Sequence, residues 1–207
     1  MVYRRTKATE ERKEARRKKL LDCATKLFGR QGYHATTVPM IVAEAESSTG
    51  GFYIYFRNKE DVFVAALEEL GEKIVQKLSE VKEFQPDVFK RMSQSMEALF
   101  MFLAENPEEA RILIVESSGL SPRMDQRRRA ILTRQEDQVR HTLEADSELF
   151  SVDNPVITAR CMVGAVYEAL YCWLEENPES RMPAAEVASA VAKFNIQAIR
   201  KTVTKTL

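Results

Sequence analysis

The side chains best suited to chemistry lie between residues 36 and 60, and their chemistry is recognition by hydrogen bonds and close approach. Thr37 has the type and place of a helix N-cap, and Pro39 follows in the first turn, where its missing N–H costs nothing. Val38, Ile41, Val42 and Ala45 recur at helical spacing. Glu46 and Ser47 make a turn, and Ser48 caps a second, shorter helix. Phe52 and Phe56, four apart, share its inner face, while Thr49, Gly50, Tyr53 and Ile54 fall on the outer face. A short helix with rings inside and small or polar groups outside suits a helix-turn-helix recognition element. Catalytic patterns are missing by comparison. The chain has no GxSxG, HExxH or P-loop sequence, and its only histidines are His34 and His141. No metal or cofactor is expected, and the chain does not read as an enzyme.

The spacing of Gly32-Tyr33, Thr36-Thr37-Val38, Ile41, Ala45, Ser48, Gly50, Phe52-Tyr53, Tyr55-Phe56 and Asn58-Lys59-Glu60-Asp61 resembles the DNA-binding motif of the TetR family of transcriptional regulators. Three positions depart from the usual pattern. Glu46 stands where the family turns on glycine, Gly51 replaces a threonine, and Ile54 replaces an aromatic residue or histidine. The resemblance implies that Thr37, Tyr53, Tyr55 and Lys59 meet phosphates. It also implies dimerisation through the last two helices and an effector pocket in the body. Read for themselves, Ser48 and Thr49 offer hydroxyls, Gly50 and Gly51 offer close backbone approach, and Ile54 offers an apolar tip for a thymine methyl.

Those residues need a positioned head, and the charge pattern supplies one. Residues 1–60 carry 13 Lys/Arg against 7 Asp/Glu, a net of +6; residues 61–207 carry 18 against 24, a net of −6. A basic head on an acidic body points to a polyanion partner. Arg4 and Arg5 lie in a basic arm, and Arg12, Lys13, Arg16, Arg17, Lys18 and Lys19 crowd the first half of a helix that Thr9 would cap. Cys23, Cys161 and Cys172 are expected to be small buried apolar residues in a reducing compartment. An Arg-rich start without an apolar run, and no segment apolar enough to span a bilayer, point to the cytoplasm.

The fold expected is all-α: a three-helix head over residues 1–60 and a helical ligand-binding and dimerisation body over 61–207, about nine helices in all. Helix one should run to about Arg30, bracketed by Gly29 and Gly32. Asn58 should cap helix four. Pro86-Asp87, Asn106-Pro107, Ser121-Pro122, Asn154-Pro155 and Pro183 punctuate the rest.

The body offers two candidate surfaces. Met96, Phe100, Tyr167 and Tyr171 bring thioether and aromatic groups to helices five and eight, suited to an apolar or amphipathic effector. Helix eight carries one charge between Cys161 and Leu174, and helix nine has two apolar stripes. Gly164, Ala169, Val187, Val191 and Phe194 are therefore expected at a homodimer interface. The function these features favour is a repressor that binds a palindromic operator on double-stranded DNA and is released by an effector. The same features also fit an activator or ligand-independent regulator. They fit as well a helical ligand-carrier or adaptor whose basic head meets another acidic partner.

Overall fold

The computed structural model describes residues 7–201, apart from the side chains of 7 and 82–84. Among these residues it is all-α, with nine α-helices. They are α1 (Lys7–Ala35), α2 (Val38–Glu44), α3 (Thr49–Tyr53), α4 (Lys59–Phe84), α5 (Val88–Glu105), α6 (Pro107–Arg111), α7 (Pro122–Ala145), α8 (Pro155–Glu175) and α9 (Ala184–Ile199). α6 continues into a π-helical turn, Ile112–Glu116. The capping residues act as expected. Thr37 Oγ1 accepts from the Met40 N–H, Asp87 accepts from the Lys90 N–H, and Asn154 Oδ1 accepts from Val156 and Ile157.

Two details of α1 differ from the expectation. Lys7 and Ala8, the first residues described, are already helical, so Thr9 sits inside α1 rather than at its cap. Gly29 does not end it either. Gly29 is buried, and a Cβ built there would lie 2.4 Å from Glu108 Cα, so it clears room for the backbone of α6. The break comes at Gly32, whose φ of 83° is open to glycine without strain.

The chain forms two compact units. One runs up to Leu70 and includes Glu108–Arg127; the other combines Gly71–Pro107 with the chain from Arg128 onward. The first unit is built on rings. Phe28, Phe52 and Phe63 are fully buried, and Phe28 packs edge-on to Phe63 at 5.0 Å. Leu20, Leu21, Ile41 and Leu67 close the core around them. Ile112, Leu113 and Ile114 of the π-turn are buried in the same unit, and Glu116 accepts a 3.0 Å hydrogen bond from the Tyr33 N–H just past the Gly32 break.

The second unit packs α5 against α9, with α8 beside both. Val88, Met92, Leu143, Phe150, Met162 and Ile199 form one of its cores. Asn195 is buried there, and its amide donates to the Met162 carbonyl at 3.1 Å. Outside the helices, the Ser151 N–H donates to the Ile199 carbonyl at 2.8 Å.

Candidate nucleic-acid interface and effector cavity

The turn between α2 and α3 is closed by the Ser47 N–H donating to the Val42 carbonyl at 2.8 Å. Glu46 takes φ +50° to make it, the single non-glycine residue with positive φ among those described. An L-residue in that region carries strain of about 1–2 kcal/mol. Its carboxylate lies 2.8 Å from Lys19 Nζ, and that ammonium holds it below the usual carboxylate range. Ser48 then caps α3 through a 3.0 Å bond from the Gly51 N–H.

α3 faces two ways. Phe52 is fully buried and Phe56 nearly so, their centroids 5.6 Å apart. Tyr53 and Ile54 stand out, 55% and 69% exposed, beside exposed Thr49 and Gly50. A Cβ at Gly50 would meet nothing within 4 Å, whereas one at Gly51 would lie 2.9 Å from Ser47 Oγ. Gly50 thus leaves the outer surface low, and Gly51 keeps the turn from crowding the helix. Tyr55 is half-buried. Arg4 and Arg5 lie outside the described residues. In the basic half of α1, Lys18 is held by Asp22 and Glu69 and Arg17 by Glu14, while Arg12, Lys13 and Arg16 are exposed.

Lys59 has a task that its place in the motif did not disclose. Its ammonium donates to the Tyr33 carbonyl at 2.7 Å and the Thr36 carbonyl at 2.8 Å, and lies 4.1 Å from the Tyr33 ring centroid. It closes the carbonyl end of α1 and leaves one N–H for another partner. Burial draws its pKa below the usual lysine value. Two residues on, Asp61 receives Arg57 Nε at 2.7 Å and also binds Arg123. The Arg57 hydrogen bond, aided by Arg123, holds its carboxyl well below the usual range despite the opposing effect of burial. Arg127 pairs with Glu68 and Arg129 with Glu136, so these arginines are engaged with carboxylates of their own units.

In the second unit α4, α5, α7 and α8 surround a cavity of about 570 Å³. Of the four residues expected to line it, Met96 does. Phe100 is fully buried against Trp173, ring centroids 6.0 Å apart. Tyr167 is buried, its hydroxyl accepting from Gln135 Nε2 at 2.7 Å, and Tyr171 is exposed on the far side of α8. The aromatic residues were misplaced because ring size was read as a pocket signal, whereas these rings fill the core. The walls are aliphatic and thioether groups: Val75, Met92, Leu99, Met162 and Val166 among them. Gln135, Gln138 and Thr142 of α7 add polar groups. Gln135, Gln138, Val139 and Thr142 recur at helical spacing, the signal that would have marked α7 as a wall.

The outward side of α8 and α9 carries Gly164, Ala169, Val187, Val191 and Phe194, all exposed or half-buried, with Phe194 at 64%. A Cβ at Gly164 would meet nothing within 4 Å. Cys161 and Cys172 are exposed on α8 and Cys23 is half-buried. The expectation that all three are buried is therefore corrected. The expectation rested on the usual burial of a free cysteine, whereas α8 carries Cys161 and Cys172 on its exposed side.

The fold and the two-faced α3 define a helix-turn-helix protein. Residues 20–66 match the family model described as bacterial regulatory proteins, tetR family. Over 57 residues the chain is 44% identical to the HTH-type transcriptional regulator HbdR of an Aromatoleum strain, covering 28% of this chain and a quarter of HbdR. A TetR-family regulator from Syntrophomonas wolfei superposes with a TM-score of 0.75 at 25% identity, over 88% of this chain and 93% of that one. The FadR regulator of Bacillus subtilis in complex with stearoyl-CoA has the same fold, with a TM-score of 0.77 at 19% identity over 88% and 99% of the two chains. These likenesses support a TetR-family, DNA-binding transcriptional regulator, the family match itself lying in residues 20–66. None of its described helices is long and apolar enough to cross a membrane.

Proposed function

We propose that the protein is a cytoplasmic, homodimeric repressor. Residues 1–60 bind a palindromic operator, and residues 61–207 bind an apolar or amphipathic effector that lowers operator affinity. The observation that carries this reading is α3. Its capped start and buried rings fix the helix, while Thr49, Gly50, Tyr53 and Ile54 remain exposed on one side. In the groove, Thr49 would hydrogen-bond to a base edge and Ile54 would pack on a thymine methyl. Gly50 and Gly51 would let the backbone come close. Thr37 and Ser48 accept cap bonds through their oxygens and keep their hydroxyl protons for phosphates. Tyr53, Tyr55, the third N–H of Lys59, and the arm residues Arg4 and Arg5 would add further phosphate contacts.

A single head spans one half-site, so a palindrome requires two copies. The outward apolar stripe of α8 and α9 supports pairing there through Gly164, Ala169, Val187, Val191 and Phe194. The cavity supports the effector, and the FadR structure of the same fold holds stearoyl-CoA. The test is operator affinity by fluorescence anisotropy, with and without a cavity ligand, paired with ligand affinity with and without operator. Linkage requires the two coupling factors to be equal. Operator binding unchanged by a ligand that fills the cavity would overturn the effector-released repressor.

A further inference from the structure

We infer that the effector carries a hydroxyl on its apolar part, seated against Gln135, and is a flexible aliphatic amphiphile rather than a plain hydrocarbon chain or a cation. This deepens the effector-cavity reading above and rests on it. The cavity wall is sorted by exposure. Ser79, Gln138 and His141 are exposed and mark the mouth, with half-buried Arg91 beside them. Met92, Leu99, Gln135 and Met162 are buried and mark the floor.

Among the described side chains no aspartate or glutamate lines the cavity, and Arg91 gives it a cation, so a positively charged ligand finds no partner among them. The Arg91 guanidinium uses one nitrogen on the Gln85 and Pro86 carbonyls, at 3.2 and 3.3 Å, and has further N–H groups for an anionic head. Among the described side chains no phenylalanine, tyrosine or tryptophan lines the cavity, its one ring being the His141 imidazole at the mouth, and Met92, Met96 and Met162 supply adaptable thioether surface. That surface fits a flexible aliphatic chain.

Gln135 stands apart on this floor. It is 4% exposed, its Nε2 donates to the Tyr167 hydroxyl, and its Oε1 is buried without a hydrogen-bond partner. A buried amide oxygen left unbonded is unfavourable, so a ligand group that bonds it gains more than the same group would in a plain apolar cavity. The inference survives a turn of the amide. With the two ends exchanged, Oε1 accepts from Tyr167 and Nε2 becomes the unbonded end. A hydroxyl donates and accepts, so it serves either arrangement.

The test displaces 1-anilinonaphthalene-8-sulfonate from the full-length protein with two series: straight-chain acids of nine to twelve carbons, and ω-hydroxy acids of the same lengths. A hydroxyl moved into an apolar cavity without a partner weakens binding. A partner at Gln135 reverses that order. The expected result is that, at one chain length or more, the ω-hydroxy acid binds about tenfold tighter than its parent. In Gln135→Leu the preference should vanish or invert. If the plain acids bind as well or better at every length, the hydroxyl inference is overturned while the cavity remains an effector site. If neither series displaces the probe and neither raises the melting temperature, the effector reading fails and takes the inference with it. The wild-type comparison decides the matter even if Gln135→Leu does not fold.

Discussion

The helix-turn-helix head and the cavity of the second unit are built from opposite materials. The head is a cluster of rings, Phe28, Phe52 and Phe63 with Tyr33 and Phe56 at its margin, and its few polar contacts are caps and closures. Among the described side chains the cavity wall holds no phenylalanine, tyrosine or tryptophan; it is bounded by branched aliphatic groups, three methionines and a small set of amides and hydroxyls, with Arg91 and His141 at the mouth. Rings pack in a few geometries and hold one shape. Methionines have many rotamers and accept several. A surface that must match a fixed groove needs the first kind of support, and a wall that must admit a ligand tolerates the second.

The largest expected effect follows from that contrast. Phe52→Ala removes a fully buried ring from the head and should cost about 3–5 kcal/mol, with operator binding lost. Met96→Ala trims a wall that already faces open space and should cost about 2 kcal/mol, the low end for such a change. Denaturant melts of both variants measure the difference. Equal losses would mean that the cavity wall is packed as tightly as the head.

Asp61 offers a pH test of the head alone. Its folded carboxyl is held below the unfolded value of about 4, so its stabilisation is present above that pH and is lost as the pH falls below it. Asp61→Asn should cost about 1–2 kcal/mol at neutral pH and flatten the acid limb of the stability curve. An unchanged acid limb would show that another carboxylate controls it.

Lys59→Met should cost about 1–2 kcal/mol, because the carbonyls of Tyr33 and Thr36 lose their donor. If melting is unchanged and only the salt dependence of DNA binding moves, Lys59 acts on phosphate alone. Ile54→Ala should leave folding intact, since the side chain is exposed, and relax the preference for one T·A pair per half-site by about 1 kcal/mol. Affinities on single-base variants of the operator read this out. A uniform loss on every sequence would exclude base reading by Ile54. The smallest effect is a gain: Glu46→Gly should stabilise the head by about 0.5 kcal/mol, the relief of positive φ less the added freedom of the unfolded glycine.

The head was legible in sequence because its determinants are local. Caps at Thr37 and Ser48, inward rings four apart and the odd turn residue Glu46 each act within a few positions. Residues 108–127 were not read as part of the head's compact unit, because Glu116 meets Tyr33 and Ser121 meets Glu60 across long stretches of chain. The cavity was legible only in outline. Met96 was found, but Gln135 sits on a helix whose polar composition hid its inner stripe. Exposed Cys161 and Cys172 were misread because the general tendency of cysteine to be buried says nothing of which side of a helix it occupies.

The central claim is that the outer face of α3 reads DNA sequence. Its most direct test is the affinity of the wild-type protein for a duplex selected from random DNA, measured beside a scrambled duplex of equal length at the same salt. The account predicts a preference of about a thousandfold or more for the selected duplex, with an affinity that falls steeply as salt rises. Equal affinity for the two duplexes would contradict it, leaving the basic head as a surface for some other acidic partner.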